Sequence, residues 1–417
     1  MRFKKLVVIS MLLGLMALSI GAVSAGLPPV LESAPTQINI NDANYNGYFD
    51  SNGNTLSNFT LNQSNVLNIG NLTNKNLNIT KNITVTSTNS STKIRNGTII
   101  FNTNGSKVKN LNIENVDKVA IAVNNASWIN ITNNTINLKG NYNSSNSYYT
   151  VTAISLNGAT SYINIPNNNI NVNGTAQYSY GIGNNIWRYS YLGAYESSIV
   201  IKQVLTNISI YNNTILVNTN GTYSAGIYTT TLSNYTASTN TINVTSKKFV
   251  YGIAADDESR TPNSWGGNTN LNASGPVKNV NISDNKVTGY AIINNTTDAG
   301  SMVYLIELFM TGNAVINNNT LNGTGNGVYG VALYCSQYVN ITYNKITIIN
   351  GSSTYIGANP DAIPSGSAAI KLYGANPYYT GTILVNYVNI WYNALTIPYG
   401  TPDVNQTNTG SSISIIW

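Results

Sequence analysis

The sequence predicts an all-β chain, a right-handed parallel β-helix solenoid of about ten coils with long insertions, behind a cleaved N-terminal signal peptide. Three observations predict it. One short unit recurs eight times along the 417 residues. Inside each copy apolar and polar residues alternate, with a single two-residue break at a fixed Asn. No helix-period patterning follows the first 25 residues.

The first segment reads as an address. Arg2, Lys4 and Lys5 form a basic stretch, Leu6 to Ile20 is an apolar run of 15 residues, and Val23-Ser24-Ala25 fits a small-residue cleavage site before Gly26. The run is shorter than the roughly 20 residues that span a bilayer. Cleavage is therefore expected, with an uncleaved anchor as the alternative. The mature chain is expected to be secreted or held at the cell surface.

The repeat reads apolar-x-apolar-x-x-Asn-x-apolar-x-(apolar or Gly). Ile129-Asn130-Ile131-Thr132-Asn133-Asn134-Thr135-Ile136-Asn137-Leu138 is the clearest copy. Period-two alternation puts successive side chains on opposite faces, as in a strand. Asn tolerates the left-handed conformation that the break requires, so each copy reads strand, tight bend, strand. No copy can bury its apolar edge alone, so the copies must stack. Stacking puts Asn134, Asn168, Asn213, Asn240, Asn285, Asn319, Asn344 and Asn393 in one column, where their amides can bond along the axis. Weaker versions run through Leu77-Asn78-Ile79 and Leu111-Asn112-Ile113.

Copy-to-copy spacings range from 25 to 49 residues. The shortest match a bare three-sided coil, and the rest carry insertions. A third strand precedes many repeats, as in Tyr180-Gly181-Ile182, Tyr251-Gly252-Ile253 and Tyr329-Gly330-Val331. The insertions are expected to leave mostly after the second strand and to project from one side. A β-sandwich would not return the same Asn to the same place in every copy. The expected boundaries are 1–25 for the signal peptide, 26–75 for an N-terminal region and cap, 76–400 for the β-helix and 401–417 for a tail or last coil.

Composition narrows the function. Only 8% of residues are charged, about a third of the usual share. Polarity comes from 73 Asn, 45 Thr and 39 Ser. With Arg2, Lys4 and Lys5 removed, 17 basic residues face 14 acidic ones, and no basic stripe tracks phosphates. Nucleic acid is therefore not an expected partner. The chain has no His, which excludes His-based triads and His metal sites. No cofactor or metal is expected. The lone Cys335 reads as a small buried apolar residue.

The N-terminal signal, the Tyr48-Phe49-Asp50 cap and the Asn-Ile-x-Ile-x-x-Asn-x-Ile coils together resemble the adhesin-like surface proteins of methanogenic archaea, whose β-helix is of the pectin-lyase-like type. The resemblance covers most of the mature chain. It implies a surface location, attachment as the role, and surface glycans or cell-envelope components as partners.

Three sets of residues are candidates for chemistry. Aromatic rings crowd one insertion: Tyr178, Tyr180, Trp187, Tyr189 and Tyr191, with Arg188 among them, and Trp265 lies in another. Their flat apolar faces and polar edges suit sugars, although the same rings could simply pack down over the solenoid. Asp256-Asp257-Glu258 is the one dense acidic cluster. Paired carboxylates hydrolyse glycosides, and a solvated loop is the competing reading. Finally, 27 Asn-x-Ser/Thr sequons offer sites for N-linked glycans, or arise because Asn and Thr alternate on strands. The expected function is a non-catalytic adhesin-like binder. The alternatives are a polysaccharide hydrolase or lyase and a structural envelope protein.

Overall fold

The computed structural model describes residues 36–63, 65–140, 150–184, 205–230, 232–256, 278–292, 301–349, 367–374, 385–407, 409–410 and 412–417. The expected signal segment, 1–25, lies outside them. Three parallel sheets account for nearly all of the described chain, and the one helical element is a 3-10 turn at Tyr45–Gly47. Among these residues no helix is long and apolar enough to cross a membrane.

One coil shows the plan. Ser127–Thr132 lies in sheet I, Thr135–Gly140 in sheet II and Thr150–Asn157 in sheet III, and Ser161–Pro166 then returns to sheet I. Each strand pairs in parallel with its counterparts one coil away, so the chain winds as a right-handed parallel β-helix. Sheet I has 13 strands, and sheets II and III have 11 each.

The register explains the repeat. Ile129, Ile163, Ile208, Tyr235, Val280, Ala314, Val339 and Val388 stand above one another in sheet I. Ile136, Ile170, Ile215, Ile242 and Val287 form the equivalent column in sheet II. Ile154, Ile182, Ile227, Ile253 and Ile306 form the one in sheet III. These residues are buried in one continuous core. Full burial of each large aliphatic is worth about 1.5–3 kcal/mol.

The Asn column is a closed hydrogen-bond ladder. Each ladder residue from Asn134 to Asn344 donates its Nδ2 to the Oδ1 of the next, at 2.9–3.1 Å. Its backbone N–H donates to the same Oδ1. Nδ2 also reaches a strand carbonyl of the preceding coil, as from Asn168 to Ile131 O at 2.8 Å. All eight residues are buried, so an amide, which both donates and accepts, fits where a carboxylate or hydroxyl would leave groups unpaired. The left-handed residue is not the ladder Asn but the one before it: Asn133, Asn167, Asn212, Thr239, Asp284, Asn318, Tyr343 and Tyr392. That residue turns the corner, and the turn drives the next side chain inward.

The early weak copies belong to other faces. Leu77–Ile79 is a sheet III strand and Asn112–Val116 a sheet II strand, while sheet I continues through Val66–Ile69, Thr84–Thr86 and Lys107–Lys109. At the start, Gln37–Ile40 pairs with Val66–Ile69, and the chain between them packs Tyr45, Tyr48, Phe49 and Phe59 against the first coil. At the other end Val404–Thr407 extends sheet III and Ile413–Ile416 extends sheet I.

Candidate functional site

Sheets I and II carry mainly short polar side chains outward, broken on sheet I by the exposed rings of Trp128, Tyr162, Tyr338 and Tyr387. Sheet III does not. Its strands use a Tyr-Gly-apolar motif that turns large rings outward while the glycine lies against the neighbouring strands. A Cβ at Gly226 would meet Ile242 Cγ2 at 2.2 Å and Gly252 O at 2.8 Å. Closeness, not backbone angle, fixes that glycine.

The outward rings stack in columns along the sheet. Tyr178, Tyr223 and Phe249 lie face to face at 4.9 and 4.6 Å. Tyr251, Tyr304 and Tyr329 continue at 5.1 and 5.4 Å. Tyr178 and Tyr180 are therefore strand residues, buried at 3% and 1% exposure, rather than part of an insertion. Trp187, Arg188, Tyr189, Tyr191 and Trp265 lie outside the described residues.

Charge enters the same face at three points. Asp256 ends the strand Phe249–Asp256 and is buried, and its Oδ2 accepts a hydrogen bond from Tyr228 Oη at 2.5 Å. This differs from the solvated-loop reading, because sheet pairing extends to the Asp256–Phe309 register. Asp257 and Glu258 lie outside the described residues. Glu307 stands two residues before Phe309 on the adjoining strand, half-buried on the same face. Lys371 follows Glu307 in its column with Ala332 between them, a separation of about 10 Å. Lys371 is fully buried, and its Nζ donates to Asn405 Oδ1 at 2.7 Å. Burial lowers its ammonium pKa to about 8. Burial, reinforced by the nearby Glu307 charge, holds the Tyr251 and Tyr334 phenols well above their ordinary range.

Glu307, Lys371, Tyr228 and Tyr304 are not apparent from sequence inspection alone. Their signal was available in the register of the third strand, where each falls on an outward position. The connections point to the same face. Past the first coils, the six long ones (141–149, 184–204, 257–277, 292–301, 350–367 and 374–385) each begin or end at a strand of sheet III. Three leave after the second strand of the repeat and three after the third. Among the described residues no cluster of three or more carboxylates or thiols could hold a metal ion. Cys335 is buried, and burial pushes its thiol up to about 12.

No known family pattern matches the chain. No curated protein sequence matches it either. Solved structures do. The A-module of an Azotobacter vinelandii mannuronan C-5 epimerase aligns over 85% of this chain and 87% of its own, at 13% identity and a TM-score of 0.40. The DFA-IIIase of Arthrobacter chlorophenolicus A6, solved in complex with DFA-III, aligns over 82% and 72%, at 8% identity and a TM-score of 0.38. The Dettilon tailspike protein aligns over 85% of this chain, which spans 61% of the tailspike chain, at 13% identity and a TM-score of 0.37. These neighbours are right-handed parallel β-helix proteins, and the likeness extends to the fold alone.

Proposed function

We propose that this chain is a secreted or cell-surface protein that binds glycans of cells or envelopes without catalysis, using the outer face of sheet III and the insertions along its edges. One observation carries the reading. All six long connections meet sheet III, whose outward face carries stacked columns of aromatic rings. The half-buried rings of Tyr223, Phe249, Tyr251 and Tyr373 offer apolar surface to sugar rings, and half-buried Glu307 offers a charged hydrogen-bond partner, with Asp256 and Lys371 buried on the same face. The resemblance to adhesin-like surface proteins of methanogenic archaea supports the same role. The test is a glycan array and a cell-binding assay with the mature chain and with Trp187→Ala/Tyr189→Ala. Binding that dims in the double variant supports the reading. A blank array together with no cell binding refutes it.

A second reading rests on a specific pair. Asp256, buried under Tyr228, and Glu307 on the next strand are two carboxylates on one face, as glycoside hydrolysis requires. The mature chain would then release new reducing ends from a polysaccharide panel, and Asp256→Asn would abolish the release. Unsaturated products would instead mark a lyase.

A further inference from the structure

A separate surface on sheet I has its own ring chemistry. One register position on sheet I, left-handed in every coil from Gly105 to Tyr387, lies at an outward corner. From coil to coil this position reads Gly105, Trp128, Tyr162, Asn207, Asn234, Asn279, Asn313, Tyr338, Tyr387 and Ser412. The four central amides bond to one another, as from Asn234 Nδ2 to Asn207 Oδ1 at 3.1 Å and from Asn279 Nδ2 to Asn234 Oδ1 at 2.8 Å. Asn is the residue that tolerates this conformation best after Gly.

The ends depart from the rule. Trp128 stacks on Tyr162 at 3.9 Å and 3°, and Tyr338 on Tyr387 at 4.6 Å and 2°. All four are held at φ between +54° and +63°, where a bulky side chain is a rare outlier. They gain little burial in return, for Trp128 is 60% exposed and Tyr338 56%. Strain that burial does not offset points to function.

Each pair also keeps one ring face open, because the next coil outward carries a small residue. Gly105 precedes Trp128, and a groove of about 510 Å³ opens there, rimmed by Gln63, Asn82, Thr103 and Asn104. Ser412 follows Tyr387, and a groove of about 450 Å³ opens there, rimmed by Asn340, Asn389 and Ser414. A flat ring with amides and hydroxyls at its edge, and Lys81 as the one charge among the described residues of the two rims, suits an uncharged pyranose.

We infer that these two grooves are a paired binding site for one neutral polysaccharide chain, distinct from the face of sheet III. The two open rings stand seven strand spacings apart, about 34 Å along the axis. A polymer can engage both, and the second contact is then intramolecular.

The experiment is affinity electrophoresis in gels containing a neutral β-glucan, a mannan or a xylan. The probes are the full mature chain, Trp128→Ala, Tyr387→Ala, the double variant and Asn234→Ala as a control. The altered side chains are exposed, and unchanged circular dichroism and thermal midpoints establish folding. The mature chain should be retarded in at least one gel, each single variant should bind about 100-fold more weakly, and the double variant should run free. Asn234→Ala should match the parent. Migration of the parent as fast in all three gels as in a gel without polysaccharide overturns the proposal, as does retention of the double variant. The sheet III proposal is tested with Trp187→Ala/Tyr189→Ala, which should leave this retardation unchanged, so the two can fail separately.

Discussion

Replacing Asn213 by Ala tests the ladder at its middle. Asn213 Nδ2 donates to Ile165 O at 2.7 Å, to Tyr211 O at 3.0 Å and to Asn240 Oδ1 at 3.0 Å. Its Oδ1 accepts from the backbone N–H and the Nδ2 of Asn168, at 2.8 and 3.1 Å. Ala removes every one of these. Asn240 Oδ1 keeps the Asn213 backbone N–H, and Asn168 Nδ2 keeps two carbonyls. The Asn168 backbone N–H keeps nothing and stays buried. One orphaned buried donor costs about 1–3 kcal/mol, and the lost bonds add about 1 kcal/mol. The expected loss is about 2–4 kcal/mol. Urea unfolding followed by far-UV circular dichroism measures it as a lower midpoint with an unchanged slope. Asn234→Ala is the reference, because Asn234 also bridges two ladder amides but is exposed. Ala at its left-handed backbone, φ +52°, costs about 1 kcal/mol, so this variant should lose about 1 kcal/mol and less than Asn213→Ala. If the two variants lose the same stability, burial is not what makes the inner ladder matter, and the reasoning fails.

Two further outcomes are expected. Gly226→Ala should lower stability by about 1–3 kcal/mol in the same urea assay, because its Cβ would collide with Ile242 and with the Gly252 carbonyl. An unchanged midpoint would show that the two strands can move apart. Lys371→Met probes the buried ammonium. Its pKa of about 8 lies below the ordinary 10.5, so between those values the unfolded chain binds more protons and this group's contribution to stability rises with pH. The stability of the parent relative to Lys371→Met should therefore climb between pH 8 and pH 10, and a flat or falling difference would refute the burial argument.

The scaffold was legible because its two signals are local and repeated. Alternation gave the strands, and the fixed Asn gave the corner and the stacking register. The finer backbone geometry was less visible. The left-handed residue before the ladder Asn is itself Asn in four of the eight copies, as at Asn133 and Asn167, so the sequence there does not say which of the pair turns. The site was harder to read, because function here depends on which residues share a face. Glu307 looks isolated along the chain, yet folding sets it opposite Ala254, on the strand next to Asp256 and two residues from it in register. Tyr178 looks like a loop aromatic, although the strand signal starts at Tyr180, until pairing with Tyr223 places it in the sheet. The exposed pairs were within reach: Trp128, Tyr162, Tyr338 and Tyr387 each stand one residue before the first apolar position of a repeat.

The ladders also say what kind of surroundings this scaffold suits. Lys93 and Arg95 both pair with Glu114 near the N-terminal end. Elsewhere neutral amides bond coil to coil. Interactions of that kind involve no counter-ions and do not titrate between acid and neutral pH, so neither brine nor acidification reaches them. A solenoid held this way keeps its shape across swings in ionic strength that would loosen a surface laced with lysine and glutamate.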